Sequence, residues 1–396
     1  MAMKDRTLLM IPGPIEFEPA VLQALGAPTP SHVAPEFIEA FGRAIESMRK
    51  VWDAPTGQPF VIAGSGTLAM DIAGANLVEP GDRALVLSTG VFGDRFEDLL
   101  LRYGAAVDVL RFPVGQTVDF DRVAHKLSGG KYKLMTATHV DTSTGVRIDA
   151  KQLGELGQQH RVLSILDGVC SVAAEEIHQE EWGLDVVLTA SQKAIGVPPG
   201  LALLVVSCRA LGAFEARKHP VTNYYADWEK WLPIMKSYED REPSYFGTPA
   251  VNLVAALDVS LGQILDEGLQ ARFTRHRKLG QACRAAIEAL QLGQIPTNSL
   301  HAANTLSAPT YPAEISGSFL LREIRNAGAV FAGGLHPEIK EKYFRIGHMG
   351  AARAGDLLAA VGALEAGLIA CGARCQAGTG IAAAQQVMIS QAYLAN

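Results

Sequence analysis

Short apolar runs recur along the first half of this chain at intervals that leave room for a helix between most of them. They lie at 60–63, 83–87, 106–112, 134–139, 162–166, 186–190 and 201–207, and most are dominated by Val, Leu, Ile and Ala. A strand that is apolar on both faces belongs inside a sheet covered twice, and parallel neighbours need a crossover of about a dozen residues or more. The pattern predicts an α/β domain with a mainly parallel mixed sheet covered by helices. Phe37, Phe41, Ile45, Met48 and Trp52 fall at helical spacing and predict an amphipathic helix over 35–53. Helices are also expected at 66–77 and 92–103, and one long helical pattern covers about 250–290. The stretch after 265 reads as a smaller α/β unit, with helices at 316–327 and 351–370 and strands at 330–332 and 343–346. The expected organisation is an N-terminal arm (1–20), a large domain (21–264), a small C-terminal domain (265–375) and a tail (376–396).

Charge narrows the function classes. Lys plus Arg is 35 against 41 Asp plus Glu, so the net charge of -6 supplies no basic surplus for nucleic acid or anionic membrane. The longest apolar runs, such as 201–206, are far too short to span a bilayer. Cys170, Cys208, Cys283, Cys371 and Cys375 are odd in number, scattered and without a C-x-x-C pair, so free thiols are expected rather than disulfides or a metal site. Residues 1–9 lack a signal-peptide core, and Leu394-Ala395-Asn396 is not the peroxisomal address. A cytoplasmic location is expected, with peroxisome and mitochondrion left open.

Ligands of open α/β sheets bind beyond the carboxyl ends of the strands. The run 162–166 ends in Asp167, and the run 186–190 leads into Ser191-Gln192-Lys193. Strand ends so placed bring an acid and an amine to one sheet edge. That pair suits pyridoxal phosphate: the lysine tethers the aldehyde, and the carboxylate keeps the pyridine nitrogen protonated so that the ring withdraws electrons. Either residue alone has a plainer reading, Asp167 as a turn cap and Lys193 as a surface cation. Gly64-Ser65-Gly66-Thr67, leading into a helix, offers a phosphate site through close backbone approach and N-terminal amides. With Ala69 it also fits G-x-G-x-x-A, the dinucleotide fingerprint. That alternative wants an acid at the end of the next strand, where this chain has Leu87-Ser88-Thr89-Gly90.

Eight stretches in order then carry a family resemblance. They are Ile11-Pro12-Gly13-Pro14, Gly64-Ser65-Gly66-Thr67, Gly90-Val91-Phe92-Gly93-Asp94-Arg95 and Thr138-His139-Val140-Asp141-Thr142-Ser143-Thr144-Gly145. Asp167-Gly168-Val169, Ser191-Gln192-Lys193-Ala194, Tyr245-Phe246-Gly247-Thr248-Pro249 and Phe344-Arg345-Ile346-Gly347 complete the set. Over about residues 8–372 the chain resembles the class V aminotransferases of fold type I, above all the alanine–glyoxylate and serine–glyoxylate enzymes. The resemblance implies pyridoxal 5'-phosphate as cofactor, with Lys193 tethering it and shuttling the proton, and Asp167 on the pyridine nitrogen. It implies Phe92 on the ring face, where several relatives carry tryptophan, and Thr142 beside the 3'-oxygen. Ser65, Gly66, Thr67 and Gln192 would hold the phosphate, joined by Tyr245 and Thr248 from the other subunit of a homodimer. Arg345 would clamp the substrate carboxylate bidentately, with Gly13 also at the substrate. Plainer roles are open for some: Tyr245 as a core aromatic, Thr248 as a helix cap before Pro249, Arg345 paired to a structural acid.

The implied reaction takes an amino group from a small amino acid, alanine favoured, to glyoxylate, giving pyruvate and glycine; the alternatives on the same scaffold are a serine–glyoxylate or a serine–pyruvate aminotransferase. No basic residue for a second substrate carboxylate is identifiable. A cysteine desulfurase on the same scaffold would need a loop cysteine ahead of Arg345, and none lies between Cys283 and Cys371. An NAD-binding oxidoreductase using the Gly64-Ser65-Gly66 loop is the rival from another class.

Overall fold

The computed structural model describes residues 7–392. Seven strands form its central sheet: β1 (Gln58–Ala63), β2 (Arg83–Ser88), β3 (Ala106–Arg111), β4 (Leu134–Thr138), β5 (Leu163–Asp167), β6 (Val186–Ala190) and β7 (Leu201–Val206). Their spatial order is β1-β7-β6-β5-β4-β2-β3. β7 pairs antiparallel with β1 and β6, and every other pairing is parallel. All residues of β4 to β7 are buried, which is why these runs carry no polar alternation. The sequence-based α/β expectation is met.

Register brings the strand ends to one edge. Thr138 lies opposite Asp167, Asp167 opposite Leu188, Ala190 opposite Ala202, and Ala63 opposite Leu201. The loops 64–67, 139–145, 167–170 and 191–193 therefore emerge side by side. The helix Pro35–Trp52 buries Phe37, Phe41, Ile45, Met48 and Trp52 as its spacing predicts. Each such side chain contributes roughly 1.5–3 kcal/mol by leaving water, and the Trp52 indole N–H also donates to the Val187 carbonyl at 3.1 Å.

The smaller unit has its own core, including Leu279, Ile287, Leu320, Ile324, Phe344 and Leu364. A three-stranded antiparallel sheet with Phe344–Gly347 at its centre, between Leu306–Ser307 and Ala332–Gly333, carries Arg345. Two separate cores favour the two-domain reading, whose boundaries at 20, 264 and 375 stand as a proposal.

Two expectations need correction, and the tail, on whose order the sequence is silent, gains a description. The long helix at 250–290 breaks at Gly268, where φ is +79, into Val251–Glu267 and Leu269–Ala289. One glycine in a helical pattern does not disturb its apolar period, so the break leaves no trace in spacing. The strand at 330–332 is two strands: Ala329–Val330 pairs in parallel with Leu8–Leu9 of the arm, and Ala332–Gly333 pairs with the Arg345 strand. The tail contains a helix, Thr379–Ala392, packed on Leu269–Ala289 with Ala384 fully buried. The buried Glu365 carboxylate receives the N–H groups of Gly378, Gly380 and Ile381 at its start. Small residues allow that close packing while keeping the stretch weakly hydrophobic. Residues 1–6 of the arm and 393–396 of the tail lie outside the described residues. Among the described residues no helix is long and apolar enough to cross a membrane.

Candidate active site

Asp167 closes β5 and is 2% exposed. Its Oδ1 accepts the Val169 N–H at 2.9 Å, so the turn-capping role is real but uses one oxygen. The other oxygen has no hydrogen-bond partner among the described residues. Burial pushes the carboxyl up to about 7, and Asp141 adds to the rise, while the Val169 N–H, Lys193 and Arg95 pull it down.

Lys193 follows β6 and is 9% exposed, which rules out a solvated surface cation. Its ammonium donates to the Pro12 carbonyl. Burial lowers its pKa and Arg345 lowers it further, against Cys170 and Asp167. Lys193 and Asp167 thus feel each other's charge inside one buried site. Gly13 has φ +101, and a Cβ there would sit 2.5 Å from the Lys193 Cδ. Gly13 therefore abuts the lysine stem, giving it passage, rather than lying at a distance from it.

Arg345 comes from the small domain and meets the large one. Its Nε–H donates to the Gly333 carbonyl at 2.9 Å and an Nη1–H to the Thr142 carbonyl at 3.4 Å. Among the described residues it makes no ion pair, so the structural-acid reading fails. Burial lowers its pKa and outweighs the opposing influence of Tyr343, Cys170, Asp141 and Tyr311. Thr142 is buried beside it.

Ser65 caps the helix Gly66–Leu77, accepting the Leu68 N–H at 3.4 Å. The N–H groups of Gly66 and Thr67 have no partner among the described residues and open toward the sheet edge. A Cβ on Gly66 would approach the Val169 side chain at 2.9 Å, so this turn packs directly on the residues following Asp167. The Gln192 Oε1 is buried without a partner. Tyr245 and Thr248 are exposed, and Tyr245 keeps 64% of its surface free. Neither plainer reading survives: Tyr245 is not core, and the following helix starts at Val251 with Ala250 at its cap.

Asp141 is the residue that sequence reasoning quoted without assigning it work. It is fully buried, and its oxygens accept the amides of Phe92 and Gly93 at 3.0 and 3.3 Å and both the N–H and hydroxyl of Ser143 at 2.9 and 2.5 Å. It thereby fixes the start of the helix Val91–Arg102 and with it Phe92. Its signal was an acid three residues beyond the end of β4, closing the short strand Val140–Asp141. His139 lies nearby but is buried and pushed down to about 3, chiefly by desolvation, so it stays neutral.

The profile of the aminotransferase class-V family matches residues 22–347. This chain belongs to the class-V aminotransferases. It is 41% identical to alanine–glyoxylate aminotransferase 1 of Saccharomyces cerevisiae over 88% of this chain and 93% of that one. It is 31% identical to serine–glyoxylate aminotransferase of Arabidopsis thaliana, over 95% and 94%. Among solved structures, pyridoxamine-pyruvate aminotransferase from Mesorhizobium loti superimposes with a TM-score of 0.92 at 28% identity, covering 99% of each chain. The chain is accordingly a pyridoxal-phosphate-dependent transaminase using amino acid and 2-oxo acid substrates. The NAD alternative finds no support: β2 ends without the acid that a dinucleotide ribose requires.

The residues present fit this cofactor. An unengaged carboxylate oxygen on Asp167, a buried amine on Lys193 and the free amides of Gly66 and Thr67 line one sheet edge. Each corresponds to a part of a pyridine aldehyde phosphate.

Proposed function

We propose that this transaminase moves the amino group of alanine to glyoxylate, yielding pyruvate and glycine. Arg345 carries the proposal. A half-buried guanidinium with spare N–H groups and, among the described residues, no ion-paired acid matches a substrate α-carboxylate, and its charge reaches Lys193. The 41% identical relative from Saccharomyces cerevisiae is named for alanine and glyoxylate, which favours a small neutral donor.

When bound, pyridoxal phosphate supplies an aldehyde for the substrate amine and a ring that withdraws electrons from the substrate Cα. The chain's own groups do the rest. Arg345 orients the donor by its carboxylate. The Lys193 Nζ, whose proton affinity is lowered by burial and by Arg345, would take the proton from the substrate Cα. Asp167 would hold the proton on the pyridine nitrogen. Phe92, set by Asp141, would cover one ring face, and Thr142 would serve the 3'-oxygen. Gly66, Thr67, Ser65 and Gln192 would hold the phosphate. Tyr245 and Thr248, exposed in the single chain, are assigned to the phosphate of a second copy, which makes the active form a homodimer. The cytoplasm is the expected compartment, a proposal resting on five free thiols.

Mixing enzyme, alanine and glyoxylate is expected to produce pyruvate and glycine in equal amounts. Brisk turnover with serine and none with alanine would reverse the choice of donor.

A further inference from the structure

Tyr343 stands two residues before Arg345 in extended backbone, with φ -151 and ψ 165, so both side chains leave the same face. Its side chain is completely buried. Its hydroxyl spends its full capacity. It donates to the Ser143 carbonyl and accepts the N–H groups of Leu335 at 2.8 Å and His336 at 3.0 Å. Gly334 is the residue that lets the ring in, since a Cβ there would lie 2.7 Å from the Tyr343 Cε1. Arg345 and Tyr343 thus grip adjacent carbonyls of the large domain, those of Thr142 and Ser143. On the small-domain side they grip adjacent segments, the Gly333 carbonyl and the 335–336 amides. Ser143 also bonds Asp141, which receives the Phe92 amide. One hydrogen-bonded path runs from the small domain to the residue assigned to the cofactor's ring face.

We propose that Tyr343 is a positioning residue for the substrate-carboxylate clamp: its hydroxyl fixes the Arg345 strand against the Thr142–Ser143 turn, so the guanidinium is aimed before the donor arrives. The proposal rests on Arg345 being that clamp. Bidentate recognition tolerates little error in position, and a bolt two residues away with three hydrogen bonds removes that error in advance.

The test is Tyr343→Phe in the cofactor-loaded enzyme, which keeps the ring and removes the hydroxyl. Cofactor loading and absorbance are expected to match wild type. The KM for alanine is expected to rise about tenfold, with kcat within about threefold. Arg345→Lys should raise KM by itself, and adding Tyr343→Phe to it should change KM by less than about twofold, because nothing remains to be aimed. Equal fold-losses in both backgrounds, or a fall in kcat at unchanged KM, would overturn the proposal and leave Tyr343 a structural residue. Should the phenylalanine variant not fold, Tyr343→Met, which fills the space flexibly and also lacks the hydroxyl, takes the same double comparison with the same deciding outcomes. Failure of the underlying reading looks different: Arg345→Lys then leaves KM unchanged, and the proposal falls with it.

Discussion

The two ends of the site are built differently. At the end proposed for the ring, Asp167 and Lys193 are 2% and 9% exposed. At the end proposed for the phosphate, Ser65, Thr67, Tyr245 and Thr248 are exposed. Both ends share one sheet edge, so the contrast is not one of placement. A buried acid and amine must be held apart from water to have shifted proton affinities. A phosphate, by contrast, is well served by exposed amides and hydroxyls that a second subunit can cover later. Chemistry should therefore depend on the single chain's interior, and cofactor retention on association.

The strongest challenge to that division is Lys193→Ala. Transamination is expected to fall by about ten-thousandfold or more, and the purified variant should lose the yellow absorbance of the tethered aldehyde. Comparable turnover without Lys193 would end the reading of the ring end altogether.

Asp167→Asn is expected to lower kcat by roughly a hundredfold or more, since the ring loses the charge that holds its proton. The same residue gives a stability test in the cofactor-free protein. Its folded pKa of about 7 lies above the unfolded value of 3.8. The stabilisation from the bound proton is complete below about pH 4 and is lost as pH rises toward and through 7. Three units correspond to about 4 kcal/mol at most. Cofactor-free wild type should therefore lose more thermal stability between pH 5 and pH 8 than cofactor-free Asp167→Asn. Identical slopes would mean that the carboxylate is already ionised at pH 5.

At the other end, Tyr245→Ala is expected to weaken cofactor binding about tenfold while kcat at saturating cofactor stays within about threefold. Dilution below the dimer's dissociation constant should produce the same weakening in wild type. Cofactor dissociation followed by fluorescence across protein concentrations checks both. Retention independent of concentration would remove the second copy from the site.

How far the sequence reveals this molecule varies with the range of the interaction involved. The β4 to β7 runs and the apolar stripe of Pro35–Trp52 were readable because burial on both faces, or on one, imposes a local period. Asp167 and Lys193 were readable because strand ends converge whatever the tertiary detail. Asp141 was overlooked as a working residue because its partners, the Phe92 and Gly93 amides, lie 49 and 48 positions away, and no spacing records that. The hydroxyl of Tyr343 reaches Ser143 across 200 positions. The break at Gly268 and the helix Thr379–Ala392 escaped for a different reason: single glycines and small residues alter packing without altering the hydrophobic pattern.

The mildest effect belongs to Phe92, half-buried between the two ends. Its amide is pinned to Asp141, and the Arg95 guanidinium lies 4.6 Å from the centre of its ring, occupying one face. The opposite face is the one left for a cofactor ring. Aromatic pairs add about 0.5–1.5 kcal/mol beyond area burial, and exchanging one ring for a larger one changes only part of that. Phe92→Trp is thus expected to slow cofactor release by about twofold to threefold, with kcat and the KM for alanine unchanged. Stopped dialysis with fluorescence detection would resolve it. A loss of affinity beyond about tenfold would show that the indole collides with its surroundings, and that Phe92 packs on protein rather than on the ring.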